Sequence, residues 1–590
     1  MSINSKNEIS FKCTYEIKNY NEIQILNYRG LNEINEEIKT KIKILNLDKI
    51  EELIFIKKFD KIGLNTINFV IEEKLTNTSF LFNGCSPLKK IEFISFDTSQ
   101  ITNMKAMFQG CNELELLNLS NFDTSKVTNM EYMFSKCNKL KEIKGFENFN
   151  TNKVTNMRIM FQGCNELEYL DLSNFNTSNV TDFEGMFKNC HKLKEIKGIN
   201  NFITNKVTNM RIMFNGCREL EYLNLSSFDT SNVTDMGYMF NKCNKLKDIK
   251  GINNFITNKV KNLNTMFQGC YELEYLDLSN FNTSNAIDMG YMFNNCNKLK
   301  EIKGIDKFNT CNVTNMHIMF NGCKKLELLN LSNFDTSNIT DMGYIFNNCH
   351  KLKEIKGINN FKTNKVICMK GMFQGCYELE YLDLSNFDTS NVTDMSYMFN
   401  KCYKLKLIKG IDKFNTNKVL EMKGMFVGCN KIEYLDLSNF DTSNVTNIDN
   451  MFSYCSKIKE IKGIENFNLS NITQANEVFE ECNELKNYEE LVFLFGESIN
   501  PYYQSMNELN VERKDITITF LSLDQSFEYS IKCSNLDVFS TLIEKLCVKF
   551  DGLKNKKKFF IANGNILNKN ATLEQNNIKD GDQILINIFD

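Results

Sequence analysis

Residues 164–217 read CNELEYLDLSNFNTSNVTDFEGMFKNC and then HKLKEIKGINNFITNKVTNMRIMFNGC, two unlike halves that each close on a phenylalanine followed three residues later by a cysteine. The same landmark recurs at Cys85, Cys111, Cys137, Cys164, Cys190, Cys217, Cys243, Cys270, Cys296, Cys323, Cys349, Cys376, Cys402, Cys429, Cys455 and Cys482. After two intervals of 26 residues the spacing alternates between 27 and 26, so the true period is a 53-residue pair of turns. Self-similarity at such a period identifies a solenoid, in which one unit cannot bury its own apolar face and stacked units can.

Within each turn the spacing predicts a strand, a polar corner and a short helix. In the segment Leu167 to Ser173, Leu170 and Leu172 fall on one face while Tyr169, Asp171 and Ser173 fall on the other, because side chains alternate along a strand. The corner that follows is rich in Asn, Asp, Thr and Ser, whose side chains bond backbone left unpaired by turns. Met210, Met213, Phe214 and Cys217 lie at helical spacing after Asn209, a suitable cap, and Gly216 would end the helix in the left-handed conformation, as would Gly163, Gly269, Gly322, Gly375 and Gly428. Strand–helix–strand succession implies parallel pairing and an α/β solenoid of about sixteen rungs.

The chain has 590 residues and a formal net charge of -3, which gives no electrostatic reason to expect a nucleic-acid partner. Its two prolines, Pro87 and Pro501, exclude a proline-rich linker. The first residues are polar and lack the apolar core of a signal peptide, and no apolar run is long enough to span a bilayer, so a cytoplasmic location is expected, with the cell surface as the alternative. The 21 cysteines are then expected to be thiols.

In chain order, residues 1–80 do not repeat. Phe11, Cys13, Tyr15 and Ile17 alternate with polar residues, and Ile54–Ile56 and Phe69–Ile71 are short apolar runs, which together predict a β-rich N-terminal cap. The solenoid occupies 81–482, and 483–511 form a C-terminal cap and linker. From 512 to 590 the periodicity changes. Strands are expected around Ile516–Phe520 and Phe527–Ile531, joined at Asp524-Gln525, then a helix over Val538–Phe550, then strands at Phe559–Ile561 and Ile584–Ile588. That ββαββ order suits a β-grasp domain.

The repeat LEYLDLSNFDTSNVTDMSYMFNKC at 379–402 closely resembles the BspA-like leucine-rich repeats of bacterial and protist surface proteins, and the resemblance covers about residues 75–482. It implies a leucine-rich-repeat-like architecture. It departs from LxxLxLxxN in that the asparagine position falls on Phe175, Phe228 and Phe281, so stacked phenylalanines are expected in place of an asparagine ladder. The segment FFIANGNILNKNATLEQNNIKDGDQILINI resembles the second half of a ubiquitin-like domain, with Thr572, Leu573 and Ile578 in its most telling stretch. The chain ends Ile588-Phe589-Asp590 without the Gly-Gly of conjugated forms, so the resemblance implies the built-in type. Its binding patch would correspond to Leu523, Ile561 and Asn587, which would suit a partner of the ubiquitin-receptor type.

Two columns on the strand face are candidate binding features. One runs Asp171, Lys197, Asn224, Lys250, Asp277, Lys303, Asn330, Lys356, Asp383, Lys409, Asp436 and Lys462. Alternating charge lets a parallel ladder neutralise itself. The other runs Tyr169, Glu195, Tyr222, Asp248, Tyr275, Glu301, Leu328, Glu354, Tyr381, Leu407 and Tyr434. Tyrosines on alternate turns offer the large amphipathic contacts enriched at interfaces. No position is expected to break the repeat sharply enough to mark a hot spot.

The cysteine column lacks C-x-x-C or Cys/His zinc spacing and is expected to be core packing, with no metal and no cofactor. Only His191, His317 and His350 are available for acid–base work, and phosphate-binding and nucleophile-elbow motifs are absent, so no catalytic residue and no enzymatic activity are expected. The reading is a non-enzymatic scaffold or adaptor whose strand face binds one protein partner and whose C-terminal domain docks a second. The alternatives are a BspA-like adhesin and a folding or cytoskeletal cofactor, since tubulin-cofactor-like proteins also join leucine-rich repeats to a ubiquitin-like domain.

Overall fold

The protein is seen in a computed structural model that describes residues 8–27, 35–488, 491–492, 495, 514–522, 528–535, 537–550, 553, 557–562, 565–567, 572–573 and 576–589. The chain divides into two units, Met1–Ile499 and Asn500–Asp590.

The first unit opens with a five-stranded antiparallel sheet ordered Lys49–Glu51, Ile42–Asn46, Gly63–Ile71, Phe11–Ile17 and Leu88–Phe93. The expected alternation in Phe11–Ile17 is present, with Phe11, Cys13, Tyr15 and Ile17 all buried. Its edge strand Leu88–Phe93 belongs to the first repeat turn, so sheet and solenoid share a strand. Phe11 stacks on Phe69 at 4.8 Å and meets Phe82, the first member of a phenylalanine column, edge-on at 5.6 Å.

Beyond this sheet the chain is a β-solenoid. Fourteen three-residue strands, from Leu116–Asn118 to Glu460–Lys462, carry its strand face. That is fewer than the expected sixteen rungs, because the Cys85 turn gives its strand to the N-terminal sheet and the Cys482 turn shows none among the described residues. The strands pair two by two in parallel, as Tyr169–Asp171 with Glu195–Lys197 and Leu328–Asn330 with Glu354–Lys356, rather than in one continuous ladder.

The 53-residue period has a physical origin at Gly198. From the buried strand centre to the buried corner threonine takes seven residues in the first turn (Leu170 to Thr177) and eight in the second (Ile196 to Thr204). The extra residue is accommodated by a 3-10 turn, Ile199–Asn201, entered through Gly198 at φ 83°. A Cβ on Gly198 would lie 2.4 Å from Ser173 Cα, so glycine alone permits both the dihedral and the approach. Side chains staple the open seam between successive pairs: Asn174 Nδ2 donates to the Glu147 carbonyl at 2.7 Å, and Asn333 Nδ2 to the Asp306 carbonyl at 2.6 Å.

The expected helices are absent from the repeats. Met210, Met213, Phe214 and Cys217 are all buried, but the backbone from 209 to 216 makes consecutive turns with Ile212 and Gly216 at φ 53° and 78°. Alternate amides leave the turn and bond the next one: Ile212 N to the Gly237 carbonyl at 2.9 Å, Phe214 N to Met239 at 2.9 Å and Gly216 N to Asn241 at 2.7 Å. The amides between them close i→i−3 bonds, as Met213 N to the Met210 carbonyl at 3.3 Å. Helical spacing of apolar residues therefore marks a stacked turn, whose backbone donors are satisfied between turns instead of along a helix. Asn209 does not cap a helix; its Oδ1 accepts from Arg211 N at 3.0 Å and closes the first turn.

The core holds two side-chain columns. Phe187, Phe214, Phe240 and Phe267 stack with centroids 5.6, 5.7 and 5.6 Å apart, and the series extends from Phe82 to Phe479. The phenylalanines at the asparagine position stack only pairwise, Phe202 on Phe228 at 6.4 Å and Phe255 on Phe281 at 6.4 Å. Beside the continuous stack each thiol donates to a carbonyl of the preceding turn, Cys217 to Phe187 at 3.1 Å and Cys243 to Phe214 at 3.1 Å.

The second unit is a five-stranded sheet ordered Glu528–Ser534, Asp515–Ser522, Gln583–Phe589, Lys557–Ala562 and Asn565–Ile566, with the helix Phe539–Lys549 after the first two strands in sequence. The first strand runs antiparallel to the second and parallel to the last. Ile518, Phe520, Phe539, Leu542, Leu546, Leu573 and Ile584 form its core. The expected hairpin turn Asp524-Gln525 and most of 483–511 lie outside the described residues.

Candidate functional site

The strand face is built from the outward positions of each strand pair. The central residue is buried in every strand except Glu142–Lys144, where Ile143 is half-buried; Leu170 and Ile196 are examples, and this turns their two neighbours outward. Tyr169, Tyr222 and Tyr275 are 61%, 63% and 59% exposed, and Tyr381 and Tyr434 about half exposed. The lysine ammonium of the next turn sits over several of these rings, Lys194 at 5.8 Å from Tyr169, Lys247 at 5.7 Å from Tyr222 and Lys300 at 5.4 Å from Tyr275. Each such contact favours the ring orientation seen, and these rings remain more than half exposed.

In the pairs that carry an aspartate, charge is neutralised within the pair; at the C-terminal end Lys457–Glu484 at 2.5 Å and Lys486–Glu460 at 3.1 Å run from the last pair to the next turn. Lys197 Nζ lies 2.7 Å from Asp171 Oδ2, Lys303 2.9 Å from Asp277, Lys409 2.8 Å from Asp383 and Lys462 2.7 Å from Asp436. The Lys197 ammonium, with help from the Ser173 hydroxyl, holds the Asp171 carboxyl down at about 2, and the same arrangement lowers Asp383 and Asp436 to about 2. For Asp277 the Ser279 hydroxyl leads and Lys303 follows, again to about 2. Two further lysine–glutamate rows flank these pairs: Lys192–Glu166, Lys245–Glu219 and Lys298–Glu272 at 2.5–2.6 Å, and Lys194–Glu168, Lys247–Glu221 and Lys300–Glu274 at 2.6 Å. Glu195 is exposed on the same face, paired in register with Tyr169.

The Cys323 turn departs from this order in three columns at once, contrary to the expectation that no position would. Each departure occurs apart from that combination elsewhere, as Lys431 in the Cys429 turn, Leu116 and Asn118 in the Cys111 turn and Asn224 in the Cys217 turn. In the Cys323 turn, Lys325 stands where Glu166, Glu219, Glu272 and Glu378 stand elsewhere; Leu328 replaces the tyrosine; and Asn330 replaces the aspartate. Lys356 is thus paired in register with Asn330, and Lys351 occupies the position whose partner is now Lys325. The remaining row survives, with Lys353 2.7 Å from Glu327. Beside the break is a groove of about 660 Å³ between the strands Glu301–Lys303 and Leu328–Asn330, lined also by Lys325, Lys351 and Lys356. Leu328 is 58% exposed there. The signal for this site was in the sequence: a change of residue type two positions after the cysteine, in a column that the strand-centred reading did not follow.

The other candidates stand as follows. The thiols of the cysteine column are buried and free, and burial pushes Cys190, Cys296, Cys349 and Cys402 up to about 12, the opposite of an activated nucleophile or metal-ligating thiolate. Burial likewise raises Cys368, on the turn ladder, to about 11. His350 is stacked on Tyr377 at 4.3 Å, and burial together with the charge of Lys324 holds it below its ordinary value. Among the described residues no cluster of His, Cys, Asp or Glu is placed to hold a metal ion, and no helix is long and apolar enough to cross a membrane. In the second unit Ile561 is half-buried on the strand Lys557–Ala562 and Asn587 lies on the neighbouring strand Gln583–Phe589, while Leu523 lies outside the described residues.

The repeats match the family described as “Mycoplasma protein of unknown function, DUF285” over residues 54–146, 114–197, 139–250, 192–302, 299–406 and 369–491, and the chain belongs to that family. A search of curated proteins finds no match.

Proposed function

We propose that this member of the DUF285 family is a non-enzymatic interaction scaffold whose strand face binds a protein partner. The observation that carries the reading is the tyrosine column. In a solenoid that buries the central leucine or isoleucine of its strands, large rings recur on alternate turns at about half exposure or more. Ordered aromatic surface of this kind suits a partner's contact residues, since little rotamer freedom remains to be lost on binding. The five-stranded N-terminal sheet serves as the cap that covers the first turn.

In the second unit, an antiparallel strand pair, a helix and a central parallel pair of first and last strands support a ubiquitin-like domain that docks another partner. Burial of the thiols in the core, which raises the pKa of Cys190 to about 12, supports a structural role for the cysteines, and a cytoplasmic location is part of this proposal. The BspA-like character of the repeats makes a surface adhesin the competing role, which protease treatment of intact cells separates from this one.

The test is proximity labelling from the intact protein and from its Tyr222→Ser/Tyr275→Ser variant. Loss of specific partners at unchanged thermal stability is expected. An unchanged partner list would remove the strand face from consideration. The same experiment with a chain ending at Asn500 tests the second docking role.

A further inference from the structure

We infer that the turn pair beginning at Cys323 binds an acidic peptide segment of a protein partner, seated in the groove between Glu301–Lys303 and Leu328–Asn330 with an apolar side chain against Leu328. The inference rests on the strand-face reading and adds to it a place and a partner chemistry.

Charge complementarity carries it. The outward positions of the preceding pair, from Cys270, hold the acids Glu272, Glu274, Asp277 and Glu301 against the lysines Lys298, Lys300 and Lys303. The corresponding positions from Cys323 hold only Glu327 and Glu354 against Lys325, Lys351, Lys353 and Lys356. The excess therefore changes sign within one unit of the repeat. Where Glu and Asp occupy these positions, as in the pairs from Cys164, Cys270 and Cys376, they hold the facing lysines at 2.6–2.9 Å, whereas Lys144 and Lys250, like Lys356, face an asparagine. What sets this turn pair apart is that both carboxylates are lost together: Lys325 replaces the glutamate and Asn330 the aspartate, and Lys325, Lys351 and Lys356 all line one groove, whereas the Cys111 and Cys217 turns that also carry an asparagine keep Glu113 and Glu219. A lysine already paired offers a partner little, because a new ion pair must first break the old one; an unpaired lysine carries no such cost.

Leu328 decides between an acidic peptide and a nucleic acid. At this turn the ring that a base would stack on is absent, and an exposed leucine stands in its place. Glu301 and Glu327 also line the groove and would oppose a continuous phosphate backbone, whereas a peptide can set its carboxylates apart and present an apolar side chain between them.

The test uses the full chain and a fluorescein-labelled acidic peptide of about eight residues with one central leucine, enough to span the groove when extended. Three companions complete the set: the peptide with its leucine replaced by serine, a lysine-for-acid counterpart, and an oligo-dT of equal charge. The key variant is Lys325→Glu/Leu328→Tyr/Asn330→Asp, which restores what neighbouring turns already carry and so preserves the fold. The acidic peptide is expected to bind the native chain, to weaken as salt rises from about 50 to about 300 mM, and to lose at least about tenfold in affinity on the triple variant. The serine peptide should bind more weakly.

Equal binding by the triple variant, equal binding of the lysine peptide, or binding of oligo-dT in place of the peptide would overturn the proposal. Lys431→Glu removes a positive charge at the equivalent position of another turn; a loss as large as that of the triple variant would assign the effect to net charge and also overturn it. Failure here is separable from failure of the broader reading. Partners lost on Tyr222→Ser/Tyr275→Ser with peptide binding untouched by the triple variant would leave the face standing without this site.

Discussion

Lys356 is paired across the parallel ladder with Asn330, whereas Lys197, at the same position in an earlier unit, finds Asp171 at 2.7 Å. The difference of one side-chain group changes what the face can offer, because the fold gives each outward lysine a single in-register neighbour. If that neighbour is neutral, the ammonium stays available.

Asn330→Asp should therefore pair Lys356 and leave stability almost unchanged. Exposed ion pairs contribute about 0–1 kcal/mol, so denaturant unfolding should shift by less than about 1 kcal/mol. A larger loss would mean that Asn330 has a structural task that its neighbours lack.

The carboxyl of Asp171 should titrate near 2 and return toward its ordinary value of 3.8 in Lys197→Met. Because the folded-state value is the lower one, its contribution to stability is complete above about 4 and is lost as pH falls through about 2. With both side chains more than half exposed, that contribution is small, so the direct readout is carboxyl chemical shift against pH.

Thiol labelling of the native protein should be confined to a few positions. Cys311 is exposed and Cys368, Cys533 and Cys547 are partly so, while the other cysteines among the 21 are buried. Fast modification of Cys311, slow modification of the three, and reaction of the rest only on unfolding are expected. A denatured count below 21 would reveal disulfides and contradict the reading of all the cysteines as thiols.

Phe267→Ala should cost about 3–5 kcal/mol. The ring stacks on Phe240 at 5.6 Å and on Phe293 at 5.9 Å, so its removal opens a cavity in the continuous column. Because each turn contacts mainly its neighbours, the loss should appear as local unfolding around residues 240–293, seen by hydrogen exchange, before the ends of the solenoid respond.

Much of this organisation could be read from residue spacing. The cysteine interval located every turn, and strand alternation assigned Tyr169 and Asp171 outward and Leu170 inward. The stacked turns were misread as helices because Met210, Met213 and Phe214 at i, i+3 and i+4 satisfy both geometries. What separates them is the inter-turn bonding of alternate amides, which leaves no periodic signature in side chains. Pairing of strands two by two was hidden for a similar reason: it follows from the extra residue at the Gly198 turn, whose consequence is a seam and not a change of residue pattern. The Lys325 break was legible, but only in a column outside the strand itself.

The central claim is that the strand face is where a partner binds, and site-specific photo-crosslinking in the intact protein tests it most directly. A benzophenone side chain placed at Tyr275, 59% exposed on the strand face, is compared with one at Ile367, 50% exposed in a turn segment. Discrete protein adducts at Tyr275 and none at Ile367 are the result this account predicts. Adducts at Ile367 alone, or equally at both positions, would contradict it.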